Sequence, residues 1–351
     1  MMIGVGTWAV TMALALAALM VSAALTLAVE RYARIRLLDL PGRRRSHARP
    51  TPRGGGLGFV VALLAFALAP ALATDPFVTS LLGAAVIAVA ASGFWDDHRP
   101  LPASSRLAVQ VLAAALTLVA LRPTLGAAEG TVMAWLVTGA CGIALIWSMN
   151  LHNFMDGIDG LLGLQVLFVC AVIAAAAHLA DAPGLRLLGM VGAAAVAGFL
   201  PFNFPRARVF MGDIGSGVLG LWVGVLLLLA LGTHALSPSA AALLVSAFAI
   251  DATLTLFARV VRGRRWYSAH REHLYQWLVR CGHSHAGVAG LYMMWNLLIV
   301  VPATIVAMRL PPGRGWPVAL VVYAGGVVLW WWARHRCLAA VRFRGPRHVA
   351  A

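Results

Sequence analysis

The segment Asn150-Leu-His-Asn153-Phe-Met-Asp156-Gly-Ile-Asp159-Gly160-Leu161 sets two asparagines and two aspartates within ten residues of a chain that has only 12 acids. It lies between two apolar stretches, residues 131–149 and 161–180, and so reads as a polar turn between membrane spans. Asn153, Asp156 and Asp159 recur every three residues, which a helical turn would gather on one face. Gly157 and Gly160 let a ligand approach the backbone closely. Amides and carboxylates at a membrane end suit a hydrated cation and phosphate oxygens. The plainer reading of the same residues is a polar loop with a helix cap, where Asn and Asp are favoured.

Working outward, 61% of the 351 residues are hydrophobic, only 11% are charged, and the mean hydropathy is +0.86. A soluble domain carries about 25% charged residues. The expected fold is therefore an all-α polytopic membrane protein, one integral domain over residues 1–351. A span needs about 20 apolar residues. Eleven stretches qualify: 7–29, 54–73, 77–94, 106–121, 131–149, 161–180, 185–202, 215–233, 239–258, 287–308 and 316–333. All 27 basic residues are arginine, and all but Arg122, Arg186, Arg309 and Arg314 fall on one side of that topology. The positive-inside rule then puts the N-terminus out and the C-terminus in. The same asymmetry assigns the net charge of +15 to the membrane surface and not to nucleic acid. The bilayer itself is the first partner, and the oligomeric state stays open, a homodimer included. The four cysteines are scattered, with no zinc or disulfide spacing. The N-terminus has no basic residues before its apolar run and is not read as a cleaved signal peptide.

Five of the acids, Asp96, Asp97, Asp156, Asp159 and Asp213, stand at or just after the inner ends of apolar stretches, in three loops of one membrane face. Clustered carboxylates repel unless a cation is present. Oxygen-only ligands favour Mg²⁺ or Mn²⁺ over zinc. Asp251 lies inside an apolar stretch, where a charge marks function or a structural pair with Arg259.

Three further stretches belong with these acids. Gly93-Phe-Trp-Asp96-Asp97-His-Arg99 closes the third span; adjacent acids cannot share one apolar environment, so one acts while the other stays hydrated. Asn203-Phe-Pro-Arg-Ala-Arg-Val-Phe210-Met-Gly212-Asp213-Ile-Gly215-Ser216 can offer backbone N–H groups to phosphate and a carboxylate to its metal. Within it Phe210 is either a stacking platform for a planar base or interfacial packing. Arg49-Pro-Thr-Pro-Arg53-Gly-Gly-Gly56 suits phosphate contact or a basic membrane edge equally. In the loop 259–286, His270, Arg271 and His273 can share a helical face for phosphate contact, and His283 and His285 are expected beyond the site.

In this order and spacing the motifs resemble the polyprenyl-phosphate N-acetylhexosamine-1-phosphate transferases, over roughly residues 40–300. That family includes enzymes that start enterobacterial common antigen, O-antigen and N-glycan lipid intermediates, and the phospho-N-acetylmuramoyl-pentapeptide transferase of peptidoglycan synthesis. The Ala269-His-Arg-Glu-His-Leu-Tyr-Gln276 loop lacks a triple histidine and resembles O-antigen enzymes that use UDP-N-acetylated deoxyhexoses. The chain has no lysine, so any lysine of relatives near the phosphates is replaced here by arginine, which is not equivalent.

The resemblance implies a reaction at the cytoplasmic face of the inner membrane, in which undecaprenyl phosphate attacks a UDP-N-acetylhexosamine and UMP leaves. It implies a Mg²⁺ ligand in Asp213 and a partner for the lipid phosphate in Asp96 or Asp97. Asn153, Asp156 and Asp159 would hold nucleotide, metal shell or sugar. Phe210 would stack on uracil. Arg49, Arg53, His270, Arg271 and His273 would hold phosphates, with Asn150 and Asn203 completing the substrate-binding set. Two other classes compete. An intramembrane aspartyl protease would want a Gly-x-Gly-Asp motif, and Met211-Gly212-Asp213 lacks its first glycine. A transporter would want midplane charges and internal repeats, and only Asp251 fits.

Overall fold

A computed structural model describes residues 8–39, 50–73, 75–122, 131–264 and 270–344. The apolar stretches are helices: α1 Trp8–Arg36, α2 Leu57–Ala62, α3 Pro76–His98, α4 Ala103–Leu121, α5 Val132–Met155, α6 Leu161–Leu179, α7 Pro183–Asn203, α8 Asp213–Gly232, α9 Pro238–Leu244, α10 Ser246–Val261, α11 Leu274–Arg280, α12 His285–Trp295, α13 Val301–Arg309 and α14 Trp316–Arg344. Several start on side chains that cap orphan N–H groups. Asp75 accepts from Val78 N at 3.1 Å, Thr131 from Ala134 N at 3.2 Å, and Ser284 from Gly287 N at 3.1 Å.

Among the described residues nine helices are long and apolar enough to cross a membrane, counting α12, the π turn Asn296–Val300 and α13 as one, and the pair α9–α10 makes a tenth bent by 72°. Ten of the eleven expected stretches are thus long enough, and the eleventh, 54–73, is shorter. The stretch 54–73 is helical only over a shorter run, because α2 passes into a π turn, Leu63–Leu68, and then a 3₁₀ turn, Ala69–Ala73, that contains Pro70. The stretch 239–258 breaks at Val245, between α9 and α10. Hydropathy counts apolar residues and is blind to both the change of helix type and the bend.

At the centre stands α8. Of its apolar stretch 83% is buried, against 11% for α5, which faces outward. Lipid supplies no hydrophobic drive between helices, so close contact comes from small residues. Gly93 of α3 lies against the Asp213 carbonyl. A Cβ at Gly220 would stand 2.6 Å from Met149 Cα of α5, and Ser148 Oγ donates to Gly220 O at 2.7 Å. On the other flank α1 packs on α7, with Ser22 Oγ donating to Ala195 O at 2.6 Å. A two-stranded ladder, β1 Leu38–Asp39 against β2 Thr51–Pro52, ties the end of α1 to the entrance of α2. These contacts bring the C-terminal ends of α3 and α5 and the start of α8 together.

Candidate active site

The three carboxylate loops meet. A cavity of about 750 Å³ is lined by Arg53, Asp97, Asn150, Asn153, Asp156, Asp159, Asn203, Phe210, Asp213, His270 and His273 from the predicted set. Asp96 and Arg271 are not among its lining residues, and Arg49 lies outside the described residues.

Asp97 ends α3 with its carboxylate on the first amides of α8. It accepts from Asp213 N at 3.1 Å and from Ile214 N at 3.3 Å. Gly212, with φ +79°, makes the turn this needs. A carboxylate at a helix N-terminus completes orphan donors and meets the positive end of the dipole, so Asp97 serves as a cap supplied from another helix. Arg53 donates to it at 3.4 Å and to Asp39 at 3.3 Å. Backbone pairing holds Arg53 there: Phe210 N donates to Pro52 O at 2.8 Å, and Gly55 N to Phe210 O at 2.9 Å. Asp96 turns away, accepting from Leu101 N and from Arg106 at 3.4 Å, and its carboxyl lies within hydrogen-bonding reach of Asp213.

Asn153 donates to Asp213 Oδ1 at 2.6 Å and to Ser216 Oγ at 3.0 Å. Asn150 is held by Gln110, whose Oε1 accepts from it at 2.8 Å. The single helical face expected for Asn153, Asp156 and Asp159 does not form. Helix α5 ends at Met155, Asp156 is its C-cap, and the chain turns through Gly160 at φ +75° into α6. The three residues converge by a turn instead. Burial first, then the charges of Asp97 and Asp159, pushes Asp156 up to about 7.

Three expectations are corrected, and Asn203 proves to have a structural task as well. Asn203 lines the cavity, yet its amide is already engaged: Oδ1 accepts from Gly160 N at 2.9 Å, and Nδ2 donates to Val209 O at 3.0 Å. It staples two carboxylate loops to each other. Asp251 does not reach the cavity. It is an anchor that accepts from Leu274 N at 2.7 Å, Tyr292 Oη at 2.7 Å and Trp330 Nε1 at 3.1 Å, while Arg259 meets Glu272. His270, Arg271 and His273 share no helix, since α11 begins only at Leu274. His285, expected beyond the site, lines the cavity with Nδ1 3.1 Å from Asp159 Oδ2. Burial first, then the neighbouring His273 and Arg259, holds His270 down to about 4. Asp39, Gln110 and Tyr275 also line the cavity and had no local signal, because each is recognised only by a partner distant in sequence.

The cavity wall changes character along its length. Leu107 of α4 and Ile143 of α5 are apolar lining residues that are also 49% and 71% exposed on the outer surface, beside Ile146 and Trp147. The carboxylates, amides and histidines occupy the rest. Among the described residues no three His, Cys, Asp or Glu side chains form a ready-made metal cage. The apposed carboxyls of Asp213 and Asp96 still fit Mg²⁺ or Mn²⁺, which take one or two carboxylates and fill the remaining positions with water and substrate phosphates.

Residues 78–231 match the family model described as Glycosyl transferase family 4. Over 306 residues the chain is 32% identical to a protein of Mycolicibacterium smegmatis named decaprenyl-phosphate N-acetylglucosaminephosphotransferase, covering 75% of this chain and 73% of the relative. It is 28% identical to a probable undecaprenyl-phosphate N-acetylglucosaminyl 1-phosphate transferase of Bacillus subtilis, covering 72% of each. It is also 28% identical to undecaprenyl-phosphate alpha-N-acetylglucosaminyl 1-phosphate transferase of Escherichia coli K12, covering 71% of each.

Proposed function

The chain belongs to glycosyl transferase family 4, and on that premise we propose that it transfers an N-acetylhexosamine 1-phosphate from a UDP-sugar to undecaprenyl phosphate at the cytoplasmic membrane face. The observation that carries this reading is the composite cavity. An apolar wall at Leu107 and Ile143, exposed on the outer surface of two long apolar helices, continues into a cluster of carboxylates and amides. A polyprenyl phosphate needs the first surface and a nucleotide-sugar the second. The names of the three relatives, all prenyl-phosphate N-acetylglucosamine phosphate transferases, support the same class. The inward arginines support the cytoplasmic side, and the multi-pass helical fold supports the membrane location.

In the proposed reaction an oxygen of the lipid phosphate attacks the sugar-bearing phosphorus. The bond from that phosphorus to the bridging oxygen breaks, and UMP leaves with that oxygen. The lipid keeps a diphosphate-sugar. Positioning and charge neutralisation dominate such a transfer. Arg53, set between Asp39 and Asp97, offers a guanidinium to the phosphates. The neutral His270 and His273 offer hydrogen bonds. Phe210 is the proposed platform for uracil. Mg²⁺, held by Asp213 with Asp96 beside it, would neutralise charge on the phosphate oxygens when bound. Asp97, engaged on the α8 amides, positions Asp213 more than it meets the lipid. A phosphate monoester has a second pKa of about 6 and hardly needs a base.

The proposed product starts a cell-surface polysaccharide of the O-antigen kind. N-acetylglucosamine is the first donor to try, given the relatives' names, and an N-acetylated deoxyhexose the second, given the loop at His270–Gln276. The test is UMP release from purified protein in detergent with undecaprenyl phosphate, Mg²⁺ and a panel of UDP-N-acetylhexosamines. Release that disappears without lipid, with EDTA, or in Asp213→Asn is the expected result. Folded protein that neither releases UMP nor binds any donor overturns the reading.

A further inference from the structure

At the cavity, one member of the carboxylate cluster is met by a histidine from a distant part of the chain. His285 is the first residue of α12, fixed there by the Ser284 cap. Asp159 belongs to the turn between α5 and α6. The two are 126 positions apart. The imidazole Nδ1 nevertheless stands 3.1 Å from Asp159 Oδ2 and 3.3 Å from Asp159 N. Both side chains line the cavity. With its proton, Nδ1 donates to the carboxylate and fixes that rotamer; without it, Nδ1 accepts from the Asp159 N–H and holds the turn instead.

We propose that His285 is the positioning residue for Asp159, holding its carboxylate toward the hydroxyl and amide donors of the sugar-nucleotide, and that it thereby sets affinity for that donor and not for the lipid. The inference rests on the transferase reading above. Two observations place it on the donor side. The apolar wall is built by α4 and α5, outward-exposed at Leu107 and Ile143 and half-buried at Ile146 and Trp147, whereas the Asp159–His285 contact is made by the α5–α6 turn and α12. Asp159 is also beside Asp156, whose carboxyl its charge helps to push up. Without His285 the Asp159 carboxylate would be free to rotate away from the ligand.

The two amide replacements for histidine separate the ring nitrogens. In His285→Asn the side-chain nitrogen falls near the place of Nδ1, and in His285→Gln near that of Nε2. UMP release is measured while UDP-N-acetylglucosamine and undecaprenyl phosphate are varied in turn, with melting temperature in detergent as the fold control. Loss of a hydrogen bond to a carboxylate should raise the donor KM about tenfold in His285→Ala. The lipid KM should stay within about twofold, as expected for a site that does not touch it. Recovery is expected in His285→Asn and not in His285→Gln. An unchanged donor KM in a folded His285→Ala, equal losses for donor and lipid, or rescue by Gln in place of Asn overturns the proposal. Wild-type protein that shows no UMP release and no donor binding overturns the underlying reading, and the positioning role falls with it; wild-type turnover with an indifferent His285 overturns the positioning role alone.

Discussion

Asn153 Nδ2 stands 2.6 Å from Asp213 Oδ1, and the same amide reaches Ser216 Oγ at 3.0 Å. One asparagine at the end of α5 thus sets the direction of the carboxylate at the start of α8. An uncharged donor does this without competing for a cation. Asn153→Asp keeps the size but places a second carboxylate against Asp213. We expect UMP release to fall about a hundredfold or more, as when a preorganised donor is lost from a charged site, while the protein keeps its melting temperature within a few degrees. Steady-state turnover and a thermal melt on one sample check this.

Gly157 packs under the Tyr275 ring. A Cβ there would land on the phenol oxygen and 2.9 Å from Cζ, and that hydroxyl donates to Phe154 O at 3.0 Å. Gly157→Ala should displace the turn bearing Asp156 and Asp159. Displacements of this kind cost roughly ten- to a hundredfold in kcat/KM. Adding Tyr275→Phe removes the oxygen but leaves Cζ, so the double variant should recover part of the loss. A double-mutant cycle measures the coupling.

Asp251 is an anchor. Asp251→Ala strands the N–H groups of Leu274, Tyr275 and Trp330 and the Tyr292 hydroxyl. Buried donors left without acceptors cost about 1–3 kcal/mol each, so the melting temperature and yield should drop sharply. The protein that survives should keep the wild-type donor KM, a result opposite to that for any residue touching ligand.

His270 titrates low, at about 4, chiefly through burial. An unfolded chain would take up its proton nearer 6.5, so between about pH 4 and pH 6.5 the unfolded state binds more protons than the folded one. Stability contributed by neutral His270 is therefore complete above that window and is lost as pH falls through it. Melting temperatures of wild type and His270→Gln between pH 7 and pH 4.5 test this: the wild-type curve should fall more steeply on acidification.

The apolar stretches and the three carboxylate loops were legible in the sequence because each is a local pattern. Hydropathy over twenty residues finds a span, and Asp-Asp, Asn-x-x-Asn and Gly-Asp find polar ends. What stayed hidden depends on pairing through space. Asn203 looks like a ligand residue until both ends of its amide are seen to hold Gly160 and Val209. Asp97 looks like a base until α8 arrives with unsatisfied amides. His285 sits 126 residues from the carboxylate it meets, and no periodicity reports such a contact. The bend at Val245 was equally silent, since an apolar stretch reads the same whether straight or broken.

The enclosure of α8 carries a consequence for durability. Its amides are shielded by α3, α5, α6 and α7, and Asp97 closes the one end where they would fray. Amides of that kind exchange with solvent only when the whole structure opens. In a deuterium-exchange experiment the Asp213 end of the cavity should be among the last parts of the chain to label. The substrates would then be worked against an anvil, a wall that stays closed until the fold itself opens.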